Sequence, residues 1–116
     1  MLDIGTQYNN LGAAYEEAGR YDRAIACYQE CLQRWSTVFG DKNSNCAMIY
    51  ASIGRAYQAQ ERYEDAADHL RKALLAGHRR ASKVCEDLGK VYAAMGKDAI
   101  AQAYLRKAQE KRGTKR

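Results

Sequence analysis

Four cysteines and two histidines carry whatever metal or nucleophile chemistry this 116-residue chain has. Cys27 and Cys31 stand four apart, on one face of a helix. Cys46, Cys85, His69 and His78 lie elsewhere. A structural metal needs three or four converging ligands, and no spacing carries the histidines to Cys27. The cysteines therefore read as reduced, small, buried apolar residues, because disulfide scaffolds are shorter and denser in cysteine. A catalytic thiol or hydroxyl needs a base and an orienting group, and no stretch specifies that set. There is no phosphate-cradling loop and no dinucleotide fingerprint. No metal and no cofactor are expected. What remains is recognition chemistry, carried by amides and cations set along helices.

Periodicity supplies those helices. Tyr8–Tyr15 and Tyr21–Tyr28 each place apolar or small residues three and four apart, with Gly19-Arg20 as the break between them. The pair is a helical hairpin, and the chain repeats it twice. Leu11-Gly12 is followed by Tyr15, Ala24, Tyr28 and Cys31. Ile53-Gly54 is followed by Tyr57, Ala66, Leu70 and Ala73 at the same intervals, and Leu88-Gly89 by Tyr92, Ala101, Leu105 and Ala108. Gly12, Gly54 and Gly89 let the second helix of each hairpin approach the first. The small partners on the facing helix are Ala24, Ala66 and Ala101, while the tyrosines fill the wider space. Leu11, Gly12 and Tyr15 are expected on the buried side of the first helix.

These residues resemble the tetratricopeptide repeat (TPR) family. Its pattern is a large residue, Leu-Gly and Tyr in helix A, then Ala, a large residue and Ala in helix B. The resemblance implies an all-α fold of three helical hairpins, about six helices, stacked as a short right-handed α-solenoid over residues 1–116. The repeats fall at about 5–38, 47–80 and 82–115. The expected helices are 4–18, 21–39, 44–60, 63–77, 80–95 and 97–112. Cys85, Glu61 and Asp98 depart from the family pattern, as does the absence of proline, whose places hold Ser36, His78 and Gly113. The first junction is roughly eight residues longer than a repeat of ~34 requires. Those residues lengthen one helix through Trp35–Phe39 and the next from Ser44. This style, opened by Asn9-Asn10-Leu11, is similar to the long repeats of kinesin light chains and polarity scaffolds.

Composition agrees with a globular chain: 28% charged, 47% hydrophobic and no proline. No apolar run reaches membrane-spanning length and the start lacks a basic-then-apolar signal, so a cytoplasmic protein is expected, with association to the cytoskeleton as its variant. Net charge is +5 and uneven: residues 1–60 hold five basic and six acidic side chains, residues 61–116 fourteen and eight. The basic side chains Arg79, Arg80, Arg106, Lys107, Lys111 and Arg112 make a candidate patch for an acidic partner. They are interleaved with Glu86, Asp87 and other carboxylates, which favours solvated helix surface over a nucleic-acid footprint. The polar tail from Gln109 suits a terminal repeat.

In the TPR family the inner groove formed by the A helices takes a peptide or helix of another protein. The lining here would be Thr6, Asn9, Asn10, Ala13 and Glu17 from the first repeat. The second would add Met48, Ser52, Arg55 and Ala59, and the third Lys83, Asp87 and Lys90. Asn10 can donate to and accept from a peptide backbone. Arg55, Lys83 and Lys90 can meet carboxylates, with Asp87 placed to neutralise the lysines. Family members that grip a chaperone C-terminal tail carry Lys, Asn, Asn, Lys and Arg where this chain has Asn9, Ala13, Ser52, Lys83 and Asp87. Only Lys83 matches, so that ligand is not expected. The leading expectation is a non-catalytic adaptor or scaffold. Its rivals are a structural subunit docking a larger assembly through the basic half, and self-association through an uncapped end.

Overall fold

The computed structural model describes residues 3–113, and among them six helices run in order. They are α1 (Ile4–Glu17), α2 (Tyr21–Phe39), α3 (Ser44–Ala59), α4 (Tyr63–Leu75), α5 (Ala81–Ala94) and α6 (Asp98–Gly113). Every end lies within two residues of the sequence expectation. Helices α1 and α2, α3 and α4, and α5 and α6 pack as hairpins, and α2 on α3 and α4 on α5 join them into a solenoid of 43 × 32 × 21 Å.

One turn closes all three A helices. The amide of Arg20, Arg62 or Lys97 donates to the carbonyl of Tyr15, Tyr57 or Tyr92, each at 2.9 Å. That bond needs a left-handed residue before the donor. Gly19 (φ 76°) and Gly96 (φ 78°) supply it, and in the second repeat Glu61 is forced into it at φ 61°. Two A helices start on side-chain caps: Asp3 accepts from the Thr6 amide at 2.7 Å, and Asn43 from the Cys46 amide at 3.0 Å. In place of the missing proline, His78 Nδ1 accepts the Arg80 amide at 2.9 Å, where α5 begins.

The core forms where small meets large. A Cβ on Gly54 would stand 2.8 Å from Leu70 Cγ and 3.2 Å from the Ala66 carbonyl oxygen, and Gly89 meets Leu105 and Ala101 alike. Gly12 is closed instead by the Tyr28 ring, 2.7 Å from such a Cβ. All four cysteines are free and buried. Leu11 corrects the expectation: it is 46% exposed, although Ile53 and Leu88, its counterparts, are fully buried. The repeat fixes which side of the helix Leu11 faces, but that side is buried in α3 and α5 by the preceding helix B. No described helix precedes α1.

Candidate functional site

The A helices bring the predicted lining together by register. Asn10, Ser52 and Asp87 hold equivalent positions, as do Ala13, Arg55 and Lys90, and Thr6, Met48 and Lys83. Helices α3 and α5 also touch directly, which sets the A helices on the inner side of the curve. The first repeat offers open polar surface. Asn10 is exposed, and its amide makes no hydrogen bond among the described residues, whereas Asn9 is half-buried. Ala13, Glu17 and Ala59 are exposed. Thr6 is occupied by the helix cap, its hydroxyl donating to Asp3 Oδ2 at 2.9 Å, so it is not a free groove residue.

The middle of the wall is cationic. Arg55 is exposed, with Nη2 donating at 3.4 Å to Ser52 Oγ, which itself donates to the Met48 carbonyl at 3.1 Å. Met48 adds an exposed apolar surface beside it. Burial first, then the charges of Arg55 and Arg80, hold the His78 imidazole below its ordinary pKa, against the opposing pull of Asp87. The sequence reading missed His78 as a groove neighbour; its departure from the family's proline was the available signal. It also missed Tyr28, whose hydroxyl donates to Glu16 at 2.6 Å within the field of Arg55.

Asp87, set by the sequence to neutralise the neighbouring lysines, is only 5% exposed. Lys83 Nζ lies 3.6 Å from Asp87 Oδ1 and 3.6 Å from Glu86 Oε1, while Asp87 Oδ2 has no hydrogen-bond partner among the described residues. Lys83 is thus neutralised locally, leaving Arg55 and the exposed Lys90 as the remaining cations of the predicted lining.

The basic side chains fall on two elements. Arg79 and Arg80 stand before α5, and Arg106, Lys107, Lys111 and Arg112 on α6. Arg112 pairs with Glu86, and Lys107 lies 5.8 Å over the Tyr104 ring. Lys115 and Arg116, which continue the basic run in the sequence, lie outside the described residues. Among the described residues no three His, Cys, Asp or Glu side chains gather to hold a metal.

A second concavity lies at the other face of the first hairpin. The extra turns of α2 carry Trp35, Val38 and Phe39 past Ile4 and Gly5, lining an open pocket of about 670 Å³. Trp35 and Phe39 meet edge to face at 6.5 Å, and a Cβ on Gly5 would overlap the indole. The longer first junction was the signal in the sequence.

Comparison with known proteins fits this architecture. Tetratricopeptide repeat models match residues 3–74 and 82–110. The mitochondrial import receptor subunit TOM70 of Rattus norvegicus, and that of Homo sapiens, are 29% identical over 73 residues. The match takes in 63% of this chain and 12% of theirs, so the chain corresponds to a small part of those relatives. The crystal structure of BtubC (BKLC) from P. vanneervenii superposes with a TM-score of 0.90 at 24% identity, over 95% of this chain and 47% of that one. The solved structure shares the fold, the family matches support a protein-interaction repeat module, and the chain belongs to the tetratricopeptide repeat family.

Proposed function

We propose that the inner wall of the A helices binds a peptide or helix of another protein, and that the chain acts as a non-catalytic adaptor in the cytoplasm. The observation that carries this reading is the pairing of an open amide with an open cation. Asn10 has its donor and acceptor free, and Arg55 is exposed one repeat further on. An extended segment bound there gives its backbone to Asn10 and an acidic side chain to Arg55. The likeness to import-receptor subunits supports a part in receiving polypeptides. No helix among the described residues is long and apolar enough to cross a membrane.

Affinity purification of the full chain with mass spectrometry identifies the partner, and calorimetry then compares the native chain with Asn10→Ala/Arg55→Ala. The double change is expected to weaken binding about tenfold or more, the scale of one lost charge-assisted bond. Charge reversal at Arg106 and Lys107, on α6, is expected to leave affinity unchanged. Unaltered affinity in the folded double variant overturns the groove assignment. A peptide ending in a chaperone-type acidic C-terminus is expected not to bind tightly, because Ala13 and Asp87 replace the amide and cation such a carboxylate needs.

A further inference from the structure

We propose that Ser82 is a phosphorylation site for a serine/threonine kinase that reads two arginines ahead of its target, and that Arg112 then holds the phosphate. Arg79 and Arg80 stand three and two residues before Ser82. Both are exposed, and among the described residues neither guanidinium pairs with a carboxylate or lies over a ring. By contrast Arg62, Arg71 and Arg112 have carboxylate partners, and Arg23 and Arg34 lie over tyrosine rings. Arg79 and Arg80 are thus ready to enter a cleft lined with carboxylates, the charge pattern by which such kinases choose substrates. The target hydroxyl is ready as well. Thr6, Ser36, Thr37 and Ser52 donate to oxygens of their own helix or its cap, whereas Ser82 Oγ makes no hydrogen bond among the described residues. In the transfer Ser82 Oγ bonds to the γ-phosphorus of ATP as the bond from that phosphorus to the bridging oxygen breaks. ADP leaves, and the hydroxyl proton passes to the kinase's catalytic carboxylate.

Access needs one turn to open. Residues 76–80 lie between helices, and Ser82 is half-buried in the first turn of α5, which has no side-chain cap. Presenting Ser82 in extended form breaks the 3.1 Å bond from the Val84 amide to the Arg80 carbonyl, a local opening that leaves the other helices packed. The repeat then gives the phosphate its place. Ser82 holds the register of Gly5, and Arg112 that of Trp35. In the first hairpin those two meet, since a Cβ on Gly5 would overlap the indole. By that register Ser82 faces the end of α6, and the cation it meets there is Arg112, now paired with Glu86 one turn further along α5. A phosphate carries about −1.5 to −2 charges at pH 7 and accepts a guanidinium bidentately, so it draws Arg112 from Glu86. The first turn of α5 holds no acidic residue, and a negative group there also meets the positive end of the helix. Phosphorylation therefore ties the end of α6 to the start of α5. Ser82 lies off the groove lining, so this proposal stands whether or not the groove reading does.

The full chain is treated under reducing conditions with Mg-ATP and the catalytic subunit of cyclic-AMP-dependent protein kinase, beside a peptide of residues 76–88. Peptide mapping is expected to place phosphate on Ser82 of the folded chain. Arg79→Ala/Arg80→Ala, its fold checked by circular dichroism, is expected to lower kcat/KM about tenfold or more, the scale of one lost charge-assisted bond. Phosphate on neither substrate, or on the peptide alone, overturns the proposal, since the chain then shuts the site. An unchanged kcat/KM in the double variant overturns it too. So does phosphate at Thr114 alone, which follows Lys111 and Arg112 at the same spacing and lies outside the described residues. The phosphorylated chain is further expected to melt several degrees above the unmodified one, with the gain removed by Arg112→Ala. An unchanged Tm overturns the part given to Arg112.

Discussion

Glu61 sits at φ 61°, where the other two repeats place glycine. The left-handed backbone crowds a Cβ, and the turn holds Glu61 there because the Arg62 amide must reach the Tyr57 carbonyl. Glycine relieves the crowding at some cost in unfolded-chain freedom. Glu61→Gly is therefore expected to stabilise the chain by about 0.5–1 kcal/mol, measured as a rise in the urea midpoint. Gly89→Ala acts oppositely, since its Cβ would meet Leu105 at 2.8 Å and the Ala101 carbonyl oxygen at 3.3 Å. A loss of about 1–3 kcal/mol is expected, and a neutral result would show that α5 and α6 can separate freely. Burial also sets the alkaline limit. It pushes the Cys31 thiol from 9.0 up to about 12, and raises Cys46, Cys85 and Tyr28 as well, the last helped by its bond to Glu16. These folded-state values exceed the unfolded ones, so the stability they confer is complete below pH 9 and is lost as pH climbs towards 12. Tm under reducing conditions is expected to hold from pH 7 to the thiols' ordinary 9.0 and fall beyond it, with a smaller fall in Cys31→Ala.

At the scale of the element, α1 depends on one carboxylate. Asp3 accepts from the Thr6 amide and hydroxyl and from Trp35 Nε1 at 3.4 Å, so it caps α1 and ties it to the extension of α2. Asp3→Ala is expected to cost about 1 kcal/mol and to shift the emission of Trp35, the chain's single tryptophan. A stability loss without a spectral shift would confine Asp3 to capping. Helix boundaries were legible because glycine, asparagine and apolar period act locally, and every end fell within two residues. The extra turns of α2 were legible from the same period, but the pocket they form with Ile4 and Gly5 was not, because it joins residues about thirty positions apart. Leu11 was misjudged, and the burial of Asp87 was not legible, for a shared reason. A repeat pattern states which way a side chain faces, while burial depends on which neighbour stands there. Leu11 lacks a covering helix, and Asp87 is closed over in the fold although its equivalent, Asn10, is open.

The whole molecule is a one-dimensional stack, each helix packed mainly on its sequence neighbours, so stability is a sum over hairpins and their junctions. That sum is unequal along the chain. Helix α3 lies between α2, α4 and α5 and buries Cys46, Ala47, Ile49, Ala51, Ile53 and Ala56. Helix α6 packs against α5 and buries only Ala101 and Ala108 among its described hydrophobic residues. Helix α1 buries only Gly5 and Gly12. Opening α6 or α1 therefore exposes far less apolar surface than opening α3, and partial unfolding should begin at the ends. Amide exchange followed by mass spectrometry is expected to show protection highest in α3 and α4, lower in α5, and lowest in α1 and α6. Uniform protection would mean that the three hairpins open as one unit. The same measurement tests the groove. A ligand in the inner groove should slow exchange on α1, α3 and α5 together, since all three supply the wall.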